Sequence, residues 1–179
     1  MNGDGSWDLI AGNRTYPGSN PCYAWICSYF SEILGNYYCE PNEEHDANND
    51  TVLETGLRAL IAASGTTDIS TPGGSLTLHC NYMPTGQFGI FYYGTNTLQV
   101  PFGPVGGWRC AGGGVSRLPV LNSGQEGRMS LHIDYSNPPT GFTPGALVGQ
   151  TRHFQCWFRD APGQSGHFNT SDAVTLTFQ

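Results

Sequence analysis

Beyond the first third of the chain, hydrophobic and polar residues alternate in short runs with the period of two expected for β-strands. The clearest run lies at 75–80, where Leu76, Leu78 and Cys80 occupy one face and polar residues occupy the other. The run at 173–178 has the same pattern. We predict eight or nine strands on this basis, over 58–63, 75–82, 88–94, 98–101, 108–110, 116–121, 127–135, 151–159 and 173–178.

Turn-forming sequences separate most of these strands, at 71–74, 84–86, 122–124, 137–141 and 161–166. The chain has 25 Gly and 12 Pro, which suits many tight turns between short strands. The pattern predicts an all-β fold, an antiparallel β-sandwich of jelly-roll-like or immunoglobulin-like type. We place this domain at 39–179.

Residues 1–38 show poor alternation and hold eight of the 22 aromatic residues of the chain. An aromatic segment of this kind needs a surface to cover. We therefore expect an irregular N-terminal extension that acts as a docking or donor segment on its own domain or on a neighbouring chain.

Six cysteines occur, at positions 22, 27, 39, 80, 110 and 156, and no two of them form a C-x-x-C pair. An even count in a Gly-rich β protein favours disulfides over metal thiolates and indicates an oxidising compartment. We expect an extracellular or cell-surface location. The longest apolar stretch, at 59–63, is too short to span a bilayer.

All seven basic residues are Arg, and the formal net charge is −7. Nucleic acid and anionic membrane surfaces are therefore unlikely partners on charge grounds, because no basic face is available. The absence of Lys also removes the usual charged protection of strand edges, which favours contact with other chains. An acidic loop at 40–54 holds six of the 14 carboxylates.

Two segments have the spacing of calcium loops, in which oxygen ligands recur at alternate positions. The first uses Asn2, Asp4 and Asp8, and it lacks the leading Asp of the D-x-N-G-D-G-x-x-D pattern, so another segment or chain would have to complete it. The second uses the three residues Asp46, Asn48 and Asp50 in the acidic loop. A solvated acidic loop is the alternative interpretation of the second, and calcium is the one cofactor we consider.

Catalytic motifs are absent from the sequence: it has neither a G-x-S-x-G nucleophile turn nor an H-E-x-x-H zinc motif. The five His are scattered, and those at 79, 132 and 153 fall on predicted strands. We therefore predict that the protein is not an enzyme. Sequons at Asn13, Asn49 and Asn169 permit glycosylation of an exported chain.

Several aromatic residues on the predicted strands form a candidate sugar-stacking face, namely Trp108, Trp157 and the Tyr92–Tyr93 pair. Packing within a core or an interface is the alternative interpretation, because aromatic residues dominate cores.

Residues 39–179 hold an ordered set of short motifs. The residues that carry them are Gln87, Phe88, Gly89, Cys110, Arg117, Asn122, Ser123, Gly124, Phe154, Gln155, Trp157, Arg159, Asp160, Phe168, Asn169, Ser171 and Asp172. In this order they resemble a β-sandwich module found at the C-terminal ends of many large secreted bacterial proteins, whose motifs are P-x-Q-F-G, a Cys-x-Gly-Gly turn, R-hydrophobic, N-S-G, F-Q-x-W-F-R-D and F-N-x-S-D. The first eight residues also resemble the calcium loop of FG-GAP repeats.

The resemblance implies a disulfide between Cys39 and Cys110, at the start of the module and in its Cys-Gly-Gly turn. It leaves Cys80 and Cys156, both in mid-strand, for a second bridge, and a free buried thiol at each position is the alternative interpretation. Cys22 and Cys27 remain for a third. The R-D spacing of the module also implies a buried pair between Arg159 and Asp160.

The leading functional prediction is a non-catalytic structural protein that assembles into a surface structure or filament through its N-terminal extension. The alternative is a glycan-binding module of a secreted protein. An accessory or cryptic hydrolase domain is the third hypothesis, and the missing catalytic residues disfavour it.

Overall fold

The computed structural model describes residues 34–39, 59–103, 107–160 and 168–179, and of Tyr37 only the backbone. In these ranges the chain forms ten strands, and every strand pairing is antiparallel. They are β1 (Asn36–Tyr38), β2 (Leu60–Gly65), β3 (Ser75–Asn81), β4 (Phe88–Gly94), β5 (Asn96–Phe102), β6 (Gly107–Gly112), β7 (Ser116–Asn122), β8 (Met129–Asp134), β9 (Thr151–Arg159) and β10 (Phe168–Thr177). Two short 3-10 helices lie at Gly124–Glu126 and Pro144–Ala146.

The strands form two facing sheets and a separate hairpin. The larger sheet has the order β1-β10-β9-β4-β7, the smaller sheet has the order β2-β3-β8, and β5 pairs with β6. With β2, β3 and β8 facing β4, β9 and β10, the strand order is that of an immunoglobulin-like sandwich rather than a jelly roll. No helix in the described ranges is both long and apolar enough to cross a membrane.

The core lies between the two sheets and is built from the alternating positions seen in the sequence. Leu76, Leu78 and Cys80 of β3 are fully buried, as are Phe91 of β4 and Phe154 of β9. Burial of one large apolar side chain contributes about 1.5–3 kcal/mol. The all-β sandwich prediction is therefore confirmed, and each of the nine predicted strands corresponds in order to one of β2–β10.

Strand β10 departs from the prediction at its beginning. The strand predicted at 173–178 already starts at Phe168, and it has a bulge between Thr170 and Ala173. The polar side chains of the bulge are hydrogen-bonded inside the domain. The hydroxyl of Ser171 accepts from the Cys156 backbone N–H at 3.0 Å, and it donates to the Asp172 carbonyl at 2.6 Å. A bulge of this kind accommodates turn-type residues within a strand.

The end of the predicted extension belongs to the sandwich. β1 pairs with β10, and the backbone N–H of Leu34 donates to the Ala63 carbonyl at 2.8 Å. A disulfide joins Cys39 to Cys110, with their Cα atoms 6.0 Å apart, so this predicted bridge is confirmed. The domain therefore begins by Leu34 rather than at residue 39, and residues 1–33 lie outside the described part.

The second predicted bridge is absent from the structure. Cys80 of β3 and Cys156 of β9 are both fully buried free thiols. Burial raises the pKa of Cys80, and the neighbouring Cys156 thiol raises it further. Because disulfide formation proceeds through a thiolate, this environment favours the protonated pair. The two cysteines behave here as small apolar core residues.

Candidate functional site

The hairpin β5–β6 lies on the outer face of the larger sheet, and the side chain of Gln155 holds it there. Gln155 is fully buried in the middle of β9. Its Oε1 accepts from the Cys110 backbone N–H at 2.9 Å and from the Tyr92 hydroxyl. Its Nε2 donates to the carbonyls of Trp108 at 2.8 Å and Ser171 at 2.7 Å. The side-chain amide of Gln155 thus joins β9 to β4, β6 and β10, and both its oxygen and its nitrogen are hydrogen-bonded.

Further contacts fix the hairpin towards its open end. The hydroxyl of Tyr38 donates to the Cys110 carbonyl at 2.8 Å, beside the Cys39–Cys110 disulfide. Two residues further along β6, β4 and β6 approach so closely that a Cβ added to Gly94 would lie 2.0 Å from the Gly112 carbonyl oxygen. Only glycine allows this approach. The hairpin is therefore held firmly against the sheet.

An open cleft forms where the edge of this hairpin meets the sheet, and we call it the outer cleft. Its cavity has a volume of about 230 Å³. Its described lining residues come from β4, β7 and β9, from the hairpin, and from the turn after β6. They are Ile90, Tyr92, Phe102, Arg109, Val115, Arg117 and Trp157.

Strand register explains why the sheet contributes these side chains. Ile90 of β4 lies opposite Trp157 of β9, and Tyr92 of β4 lies opposite Arg117 of β7. Residues paired directly across antiparallel strands point to the same face. Phe91, between Ile90 and Tyr92, points into the core. The alternation that builds the core on one face therefore builds the floor of the outer cleft on the other.

Aromatic rings support one side of the outer cleft. The ring of Phe168 lies 5.1 Å from that of Phe102 and 5.6 Å from that of Trp157, measured between centroids. These are the spacings of favourable tilted aromatic pairs. The three rings join the hairpin, β9 and β10, which restricts the Phe102 and Trp157 side chains before any ligand binds.

The outer cleft also carries positive charge. Arg109 donates through Nε to the Ala111 carbonyl at 3.2 Å, and Arg117 is exposed to solvent. None of the described lining residues is acidic. Residues 59–179 contain five Arg and five acidic residues, so the whole net charge of −7 belongs to residues 1–58. The cationic cleft therefore lies in a stretch of the chain, 59–179, that is formally neutral.

The structure separates the four aromatic residues of the predicted sugar-stacking face. Tyr92 and Trp157 meet in the outer cleft. Tyr93 does not join them, because adjacent strand residues point to opposite faces: it is buried in the core, 5.1 Å from the ring of Phe154. Trp108 is not among the described lining residues, and its buried indole N–H has no hydrogen-bond partner there.

Most of the other predicted site residues lie outside the described ranges. This applies to the calcium ligands Asn2, Asp4, Asp8, Asp46, Asn48 and Asp50, to Cys22 and Cys27, and to the sequons at Asn13 and Asn49. Within the described ranges, no three His, Cys, Asp or Glu side chains cluster as metal ligands would.

Two predictions concern residues near the start of β10. The amide nitrogen of Asn169, to which a glycan would be attached, donates to the Asp160 carboxylate at 3.2 Å. N-glycosylation would replace one of the two hydrogens on this nitrogen and leave the other for the bond. Asp160 is buried but Arg159 is exposed, so the expected buried pair of these two residues is wrong on its arginine side.

The histidines on the strands do not converge. His79 of the smaller sheet lies between two serine hydroxyls, with Nδ1 2.8 Å from Ser130 and Nε2 3.2 Å from Ser64. Desolvation by burial lowers the pKa of His79 to about 4, so its imidazole is neutral at physiological pH. His132 contacts Thr77 on the same sheet, and His153 contacts Thr175 on the larger sheet.

Comparison with known proteins adds no relative. No family model matches the chain, and no match was found among curated proteins or solved structures. The resemblance of 39–179 to the secreted bacterial module stays a prediction.

Sequence reasoning did not assign the remaining members of the outer cleft to a site. They are Ile90, Phe102, Arg109, Val115 and Arg117. A partial signal existed, because two of only seven basic residues lie within nine positions of one another in this lysine-free chain.

Proposed function

We propose that this domain is a non-catalytic carbohydrate-binding module of an extracellular or cell-surface protein, and that the outer cleft holds the sugar. The observation that supports the proposal is the meeting of Tyr92 and Trp157 in an open cavity of about 230 Å³. Sites for small ligands combine apolar and aromatic walls with a few polar groups, as this cleft does.

The size of the outer cleft limits how much of a glycan it can enclose. Its volume of about 230 Å³ is smaller than the roughly 300–1,000 Å³ typical of sites for drug-sized ligands. We therefore expect it to enclose one pyranose ring, with the rest of the chain in solvent. An affinity in the millimolar to high-micromolar range, about −4 to −6 kcal/mol, is the corresponding expectation.

The lining favours binding over hydrolysis of a glycosidic bond. Glycoside hydrolysis generally needs two carboxyl groups that flank the scissile bond. The described lining residues offer guanidinium, phenol, indole and aliphatic groups and no carboxyl group. These groups can stack on a sugar and donate hydrogen bonds to it.

A titration of isolated oligosaccharides by calorimetry would test the proposal. Trp157→Ala should abolish measurable binding, and Trp157→Phe, which keeps a stacking ring, should retain part of it. Phe88→Ala is a matched control, because Phe88 is 54% exposed and is not among the lining residues. Unchanged affinity in a folded Trp157→Ala variant would remove the outer cleft from consideration.

Self-assembly is the second candidate function, and one edge of the larger sheet favours it. In the described ranges β7 is the outermost strand at this edge, and Val120 is 66% exposed there. Exposed apolar residues at a strand edge without Lys suit contact with another chain, and Pro119 removes one backbone N–H donor from this edge. At the opposite edge, β1 shows that the end of the extension adds a strand to this sheet.

Deletion of residues 1–33 tests the assembly proposal while leaving β1 in place. If the extension docks on a neighbouring copy, the full chain should form filaments or oligomers and the truncated chain should be a folded monomer. Val120→Lys should weaken the same assembly if β7 receives the extension. Electron microscopy and light scattering would measure both, and polymers of the truncated chain would contradict the role of the extension.

A further inference from the structure

We infer that the outer cleft selects a sugar ring that carries an anionic group, which Arg109 and Arg117 recognise while Trp157 stacks on the ring above the buried Tyr92. The inference rests on the proposed carbohydrate-binding function and specifies its ligand class. It goes further than aromatic stacking because the lining contains two guanidinium groups and no described carboxylate.

Arg109 brings its charge to the outer cleft from the hairpin. Its Nε is held by the Ala111 carbonyl at 3.2 Å, which orients the guanidinium and leaves its terminal amino groups to face a ligand. Arg109 and Tyr92 both line the outer cleft, and the charge of Arg109 partly offsets the rise that burial causes in the pKa of Tyr92. The guanidinium therefore lies beside the aromatic floor.

Arg117 brings a second charge from the sheet. It lies opposite Tyr92 in the pairing of β4 with β7, and both residues line the outer cleft. Tyr92 thus has one guanidinium from the hairpin and another from the neighbouring strand. An anionic substituent on a ring above Tyr92 would be within reach of both sides.

Guanidinium groups recognise carboxylates and sulfates through paired, charge-assisted hydrogen bonds, which neutral sugars cannot accept as strongly. Of the five Arg in the described ranges, Arg128 has an ion-pair partner, with its Nε 2.9 Å from Glu126. The outer cleft instead gathers two Arg without a carboxylate among its described lining. A ligand carboxylate or sulfate would supply the missing counter-charge.

The experiment compares an oligogalacturonate with its carboxyl-reduced counterpart, a neutral oligosaccharide of the same length and linkage. Calorimetry on the full chain should show tighter binding of the acidic form by about tenfold or more, as expected for one added charge-assisted pair. The preference should shrink as salt is raised, because the cleft is open to solvent. A sulfated neutral oligosaccharide, used as a third ligand, distinguishes a carboxylate from a sulfate as the anion.

The variants Arg109→Gln and Arg117→Gln should each weaken binding of the oligogalacturonate by about fivefold to tenfold and change binding of the reduced form by less than about twofold. Arg128→Gln is the matched control, because it removes one positive charge away from the cleft. Arg117 is exposed, so its variant is expected to fold even if the Arg109 variant does not.

The outcomes separate this inference from the proposed function. Equal binding of the acidic and reduced sugars overturns the anionic preference and leaves carbohydrate binding intact. Binding of neither sugar, nor of the sulfated one, overturns both. A synthetic peptide of residues 40–54, which carries six carboxylates, is the further ligand to test. If the peptide binds and the sugars do not, the inference fails in favour of a contact between copies of the chain.

Discussion

Replacement of Gln155 by Leu tests whether one buried amide holds the hairpin on the sheet. The substitution keeps a side chain of similar size and removes the donors and acceptor that join β9 to β4, β6 and β10. The Tyr92 hydroxyl, the Cys110 N–H and the Ser171 carbonyl lose the partner that Gln155 provides. The Trp108 carbonyl keeps a bond from the Thr170 hydroxyl at 2.8 Å.

The expected cost follows from these three groups. A buried polar group that loses its partner costs about 1–3 kcal/mol. The apolar Leu side chain recovers about 1–2 kcal/mol through its own burial. Taking the middle of that range, about 2 kcal/mol for each of the three groups, less the gain from Leu, we expect Gln155→Leu to lower the free energy of unfolding by about 4–5 kcal/mol, a large part of the roughly 5–15 kcal/mol typical of a domain.

Urea unfolding followed by tryptophan fluorescence would measure this change. Gln125→Leu is the control, because Gln125 is exposed, and it should change the free energy by less than about 0.5 kcal/mol. Tyr92→Phe removes a single hydroxyl of the network and should cost about 1 kcal/mol. A Gln155→Leu protein as stable as the wild type would refute the role assigned to this amide.

Two further predictions concern buried titratable groups. Because the pKa of His79 is about 4 in the folded protein against 6.5 as its ordinary value, the unfolded chain gains the proton first, and stability should fall as pH drops from about 6.5 towards 4. His79→Gln should reduce the pH dependence of the free energy of unfolding over this window, whereas the exposed control His132→Gln should not. An unchanged pH dependence in His79→Gln would contradict the burial of His79. Cys80 and Cys156 should resist alkylation in the native protein and react after unfolding without reductant, whereas Cys39 and Cys110 should appear as one disulfide-linked peptide pair by mass spectrometry. A Cys80–Cys156 cystine in that digest would contradict the free thiols.

The strands were predictable because their burial pattern is local. In β3, each residue alternates between the core and the outer face, and the sequence shows the same alternation directly. The start of β10 was not predictable in this way. Asn169, Ser171 and Asp172 have turn propensity, and the hydrogen bonds that place them in a bulge come from Cys156 and Asp160 on other segments.

The candidate site depends on contacts that a local pattern does not contain. Tyr92 and Tyr93 are indistinguishable as a sequence pair, and strand register alone sends one to the outer cleft and the other to the core. Arg109 reaches the same cleft because the hairpin is held over β9. The state of Cys80 and Cys156 was not predictable from a local pattern either, because a mid-strand position suits a free core thiol as well as a disulfide.

Mapping of a bound sugar by heteronuclear NMR tests the central claim most directly. The backbone amides of Ile90, Tyr92 and Arg117, and the indole N–H of Trp157, should shift together and saturate as an oligogalacturonate is added. The amides of His79 and His132, on the outer face of the smaller sheet, should not move. Saturating shifts confined to residues away from the outer cleft, or none at millimolar sugar, would contradict the claim that this cleft is a carbohydrate site.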